Sequence, residues 1–137
     1  MFDTHPLNRV AVERVRIRDE DTGEAEVIFN FGHLRLHAFT DFPLRPGPTQ
    51  VVLELRAKAW GPGGEGDRLV NVGVTDQVNL DAAVLAIQAG VDGGSRTALL
   101  GCHKLNIQCK LDASAPPMRV GDRVTVRGRL DIYPATG

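Results

Sequence analysis

Between Val27 and Phe39 the sequence reads VIFNFGHLRLHAF. Every second residue gives Phe29, Phe31, His33, Arg35, His37 and Phe39. On one strand face that row would offer rings for stacking on bases and cations for phosphates, which is what a single-strand binding platform requires. The flanking residues break the row. Up to Phe31 the odd positions Ala25, Val27, Phe29 and Phe31 are apolar; from Leu34 the even positions Leu34, Leu36 and Ala38 are. A flip of inward parity needs a turn or bulge, and Asn30 and Gly32 suit one. The pattern predicts a break near NFGH, with Phe29 and Phe31 in the core. His33, Arg35, His37 and Phe39 remain as a shorter outward row.

Other reactive spacings are weaker still. His33 and His37 form H-x-x-x-H, but four residues of strand span roughly 13 Å, too far for one metal ion. GPGGEG, with Gly61, Gly63 and Gly66, has the spacing of a dinucleotide loop, yet a strand-like segment follows where a helix must hold the pyrophosphate. Ser95 and Ser114 are the only serines, and neither lies in a triad setting. The carboxylates gather in turns, at Asp19, Glu20, Asp21 and Glu24 and at Glu65 and Asp67. These observations point away from an enzyme, from a metal site and from a cofactor.

The elements that would position these residues are mostly strands. In RVAVERVRIR (Arg9 to Arg18), Val10 and Val12 share one parity and Val15 and Ile17 the other; a bulge near Glu13–Arg14 would bring all four to one face. DFPLRPGPT (Asp41 to Thr49) is a proline-rich loop. QVVLELRAKAW (Gln50 to Trp60) alternates, with Val51, Leu53, Leu55, Ala57 and Ala59 inward and Glu54, Arg56, Lys58 and Trp60 outward. GPGGEGD is a hairpin tip, and RLVNVGVT returns from it. NLDAAVLAIQAG (Asn79 to Gly90) is the one helix candidate, capped by Asn79 and ended by Gly90. RTALLGCHKLNIQCKLD (Arg96 to Asp112) reads as one strand interrupted at Gly101, which puts Cys102 and Cys109 on opposite faces. VGDRVTVRGRLDIYP (Val120 to Pro134) alternates most clearly, with Arg123, Thr125, Arg127, Arg129, Asp131 and Tyr133 outward. No internal repeat is apparent. The expectation is an all-β fold with one short helix, six or seven strands in an antiparallel β-barrel, OB-like, or alternatively a β-sandwich. One such domain spans residues 1–137.

The chain has 137 residues and a formal net charge of -1, so no global basic signal points to nucleic acid or membrane. No apolar run approaches the roughly 18 residues that span a bilayer, and the start MFDTHPLNRV lacks a signal peptide's pattern. A cytoplasmic protein without membrane contact is expected. The bases do gather on outward strand positions. Arg35, Arg56, Lys58, Arg127 and Arg129 are candidate phosphate contacts, and Phe39, Trp60 and Tyr133 candidate stacking rings, if their strands are neighbours. A plain solvated face is the competing account, since arginine commonly covers exposed strands with its stem.

Two segments carry a resemblance. MRVGDRVTVRGRLDI resembles the strand after the helix in OB-fold single-stranded DNA-binding proteins, where a turn precedes a VxVxGRL strand. LNRVAVERVRIRD looks like the first strand of that family. The resemblance implies an OB-like barrel that binds single-stranded DNA or RNA. The rival expectation is a structural subunit of a homo-oligomeric particle, such as a phage component, with the 41–49 and 61–66 loops as arms. A weaker third is a small ligand in a barrel mouth lined by His33, His37 or His103.

Overall fold

The computed structural model describes residues 7–90 and 95–135. It contains β1 (Asn8–Asp19), β2 (Glu24–Phe31), β3 (Leu34–Thr40), β4 (Gly47–Pro62), β5 (Arg68–Asn71), β6 (Gln77–Ala89), β7 (Arg96–Cys102), β8 (Leu105–Leu111) and β9 (Arg123–Pro134). There is no helix among the described residues. The predicted helix over 79–90 is strand β6. Val78, Leu80, Ala82 and Val84 alternate strictly into the core there. Their side chains outweigh the helical spacing of Leu80, Val84 and Ile87, which only mimics a helix because a bulge at Leu85 shifts the parity. The expected strand over 96–112 is likewise two, β7 and β8, joined by a tight turn at His103–Lys104. That turn resets the parity, so Cys102 and Cys109 both point inward and are both buried, not one on each face. Burial, the largest influence on each, pushes both thiols up to about 12.

All nine strands belong to one sheet, ordered β1-β2-β3-β9-β4-β8-β7-β6-β5. Two further pairings, β1 with β4 and β9 with β6, turn this row into two rings. The first ring runs β1-β2-β3-β9-β4 and back to β1. The second runs β6-β7-β8-β4-β9 and back to β6. The long β4–β9 ribbon belongs to both.

The rings are built on one plan. In the first, Val12 pairs with Phe29, Glu13 bulges out, and Arg14 resumes against Ile28. In the second, Val84 pairs with Leu100, Leu85 bulges out, and Ala86 resumes against Leu99. Each bulge bends a long strand so that its first half meets the ribbon and its second half meets the next strand. Both rings then turn in two residues, Gly32–His33 and His103–Lys104. Gly32, His103 and Lys104 take the positive φ values (57, 51 and 70°) that tight hairpin turns demand. The third strand of each ring runs parallel to a ribbon strand, β3 to β9 at Phe39–Asp131 and β8 to β4 from Leu53–Ile107 to Leu55–Cys109. β4 and β9 thus exchange roles about the Leu55–Leu130 pair. The repeat absent from the residues is present in the pairing.

The buried side chains of both rings form one apolar cluster, with Phe29, Leu36, Leu53, Leu80, Leu100, Ile107, Leu130 and Ile132 among its largest members. The predicted turn near NFGH exists, Phe29 is fully buried and Phe31 packs partly against the cluster. The bulge predicted near Glu13–Arg14 also exists. It brings Val15 onto the cluster, whereas Ile17 stays 61% exposed near the strand's end.

Candidate nucleic-acid interface

The β4–β9 ribbon gathers four of the eight candidate residues. Arg56 lies directly across from Arg129. Lys58 occupies a bulge between Ala57 and Ala59, opposite the Gly128–Arg127 step. The bulge forms where the two backbones press together: a Cβ on Gly128 would collide with the carbonyl oxygen of Arg56.

Two more candidates join at the β9 end, because Phe39 of β3 pairs with Asp131. Asp131 is 1% exposed and binds several neighbours. Arg129 grips it with two bonds, Nε to Oδ1 at 2.6 Å and Nη2 to Oδ2 at 3.0 Å. The Tyr133 hydroxyl donates to Oδ2 at 3.3 Å, and Arg56 Nε approaches the same oxygen at 3.5 Å. The Arg129 guanidinium lies 4.0 Å above the centre of the Phe39 ring, a cation–π stack. Phe42 closes the group, edge-on to Tyr133 at 5.4 Å. Hydrogen bonding to Asp131, the largest effect, raises the Arg129 pKa further. Burial first, and then the Asp131 charge, pushes the Tyr133 phenol up to about 12. Both side chains therefore keep one charge state across the physiological range.

The other two candidates do not join this face. Arg35 is held by Glu13, Nε to Oε1 at 3.1 Å and Nη2 to Oε2 at 2.7 Å, and Asn30 donates to the same carboxylate at 3.2 Å. Trp60 was expected outward with Arg56 and Lys58. The Ala57/Ala59 bulge reverses its parity, so its ring packs on the core beside Pro116, Pro117 and Met118. Further arginines are committed too. Arg18 pairs with Glu26 at 2.6 Å, and Arg123 pairs with Asp67 at 3.0 Å while holding the carbonyls of Gly64 and Gly66. By contrast, Lys58 and Arg127 have no carboxylate within ion-pair distance among the described residues.

Asp131 is the residue that sequence reading undervalued. Its signal was present: Arg129, Asp131 and Tyr133 recur at every second position of one strand, which forces three polar tips together on one face. Phe42 gave none, since it lies in the loop after β3. Compared with known proteins, the chain matches no family model, no curated protein and no solved structure.

Proposed function

We propose that the protein binds single-stranded nucleic acid, without catalysis, along the outward face of the β4–β9 ribbon. One observation carries this reading: Arg56, Lys58, Arg127 and Arg129 adjoin on a single ribbon, with Phe39 and Tyr133 at its end. The site is narrower than the sequence suggested, because Arg35 is neutralised by Glu13 and Trp60 packs half-buried against the core. Arg56, Lys58 and Arg127 neutralise phosphates. Phe39, with the Arg129 guanidinium over one face, and Tyr133, perpendicular to Phe42, are the rings beside them. The connectivity of the first ring supports an OB-like barrel: three consecutive antiparallel strands, a parallel step to the last strand, and a return through β4.

The test is fluorescence anisotropy with labelled single-stranded and duplex oligonucleotides. Three phosphate contacts give a log–log salt slope near -2, so a fourfold rise in salt weakens binding by about 20-fold. Replacing Lys58 or Arg127 by Ala should reduce that slope by about 0.7 each. Absence of binding at low salt, or a slope unchanged by both substitutions, overturns the reading.

A second reading, an assembly subunit, is favoured by the strand ends beyond the two bulges. There, among the described residues, β1 pairs only with β2 and β6 only with β7; Ile17 is 61% exposed, and Leu85, at the bulge itself, 47%. Open edges of this kind accept further strands. A large assembly by light scattering, with no affinity for oligonucleotides, would establish it over the first.

A further inference from the structure

Beyond their three paired residues, β4 and β8 splay apart and leave a cleft of about 650 Å³. Arg56 lines it from β4, Lys110 from β8 and Asp112 just past its end, Arg96 from β7, and Glu54 from the next outward position on β4. Arg96 and Lys110 are exposed and have no carboxylate within ion-pair distance among the described residues. Arg56 is 72% exposed, with only the 3.5 Å approach to Asp131 to hold it. Both acids keep their charge: the Ser114 backbone N–H and hydroxyl donate to Asp112 Oδ1, and the hydroxyl bond, the largest cause, lowers its pKa and so favours the ionised form. Three cations and two carboxylates, Glu54 and Asp112, thus line a nucleotide-sized space, which leaves the cations in excess among the described residues.

The equivalent crevice of the first ring shows what such a gap looks like when the protein fills it. Matching the pairing of the two rings places Asp131 where the second ring has Arg56, Phe39 where it has Lys110, and Tyr133 where it has Lys58. There Arg129, stacked on Phe39 and bonded to Asp131, closes the gap with Tyr133 and Phe42. In the second ring the positions of Asp131, Phe39 and Tyr133 carry Arg56, Lys110 and Lys58, the position of Arg129 carries Glu54, and the gap is open.

We infer that the β4–β8 cleft binds a phosphate monoester, with the Arg56 and Arg96 guanidiniums and the Lys110 ammonium as its donors. Guanidinium forks match phosphate oxygens in pairs, and an ammonium adds a point charge. The volume admits the attached nucleoside as well. This deepens the proposed function and rests on it through Arg56: the phosphate is the end of a bound strand, or that of a free nucleotide.

The experiment has two arms. Isothermal titration with adenosine 5′-monophosphate tests the cleft alone. Anisotropy with 5′-phosphorylated and 5′-hydroxyl oligonucleotides tests its link to the ribbon. Both use the intact chain and an Arg96→Gln/Lys110→Gln variant, whose exposed positions leave the fold intact by circular dichroism. Nucleotide binding that the variant loses by tenfold or more, and that Lys58→Ala retains, is the expected result. Tighter binding of the phosphorylated oligonucleotide assigns the strand end as the source; equal binding of both assigns the free nucleotide. No nucleotide binding, or binding unchanged in the variant, overturns the inference, and oligonucleotide binding then judges the ribbon separately.

Discussion

The two rings share a pairing plan and differ in what they place on it. At the bulge, the first ring has Glu13, which gathers Asn30 and Arg35; the second has Leu85, which lies over Gly101. On the shared ribbon, the first ring's side of the Leu55–Leu130 pair holds Leu53 against Ile132, and the second ring's side holds Ala57 against Gly128. Beside the ribbon, one crevice is filled with rings and a carboxylate while the other is open and cationic. Strand order, bulges and two-residue turns are therefore satisfied by quite different side chains. The backbone plan needs inward apolar residues and a few permissive positions; the outward ones are free to diverge in charge, and in function.

The ribbon gives the sharpest way to break this comparison. Gly128 has no room for a side chain, because its Cβ would enter the Arg56 carbonyl and crowd the Ala57 backbone. Gly128→Val should destabilise the protein by about 3 kcal/mol or more, read as a lower urea midpoint. Across the pair at the centre, Leu53 and Ile132 fill space rather than yield it, so Ile132→Val should cost only about 1 kcal/mol. Equal losses at the two sites would mean that the ribbon is packed alike in both rings.

A smaller contrast concerns two asparagines that act as strand residues. Asn8, 3% exposed, donates to the Asn106 carbonyl at 2.8 Å and accepts from the Asn106 N–H at 2.7 Å, tying β1 to β8. Asn71 does the same for His37, at 2.8 and 2.9 Å, tying β5 to β3. Each amide supplies the neighbour that a third strand lacks where its parallel pairing is short. Asn8→Ala leaves the partly buried N–H and carbonyl of Asn106 without the Asn8 amide and should cost about 2 kcal/mol. Asn71→Ala should cost about 1 kcal/mol, since water reaches the more open site. The two urea midpoints measure the difference, and a larger loss for Asn71 would reverse the ranking of the two ties.

How much of this could be read beforehand depended on whether a parity shift left a mark in the residues. The break at NFGH was legible because apolar positions switch from odd to even around a glycine. The bulge at Glu13 was legible because Val12 and Val15 disagree in parity. The equivalent bulge at Leu85 was not, because it is apolar within an apolar run and converts strand alternation into helical spacing. The turn at His103–Lys104 was hidden for a related reason: it holds no glycine, asparagine or aspartate to mark two successive positive φ values, and the pairing of β7 with β8 imposes them. Trp60 was misplaced by one residue of bulge, which only the close approach at Gly128 explains. On the ribbon, outward arginines were visible from alternation alone, and Asp131, which binds Arg129, stands two residues along the same strand; the carboxylate of Arg35 was hidden because Glu13 reaches it from another strand.

The smallest effect expected separates the bulges electrostatically. Glu13, hydrogen-bonded first of all by Arg35 and then by Asn30, has its pKa lowered from 4.5 to about 2. In the unfolded chain that carboxyl regains its ordinary value. The pair's contribution is therefore complete above the unfolded value and disappears as pH falls through the window from 4.5 to about 2. It is an exposed pair, so the change is modest and weakens with salt. Glu13→Leu, which copies the residue of the second ring, should flatten the fall of the urea midpoint within that window and leave its neutral-pH slope alone. Arg35→Ala should do the same by removing the largest cause of the shift. The reciprocal Leu85→Glu should add no such acid dependence, because the positions that match Arg35 and Asn30 are Asn106 and Gly101. A wild-type acid limb that survives Glu13→Leu unchanged would place the titrating pair elsewhere, with Glu26, also lowered chiefly by its Arg18 hydrogen bond, as the next carboxylate of that ring to replace.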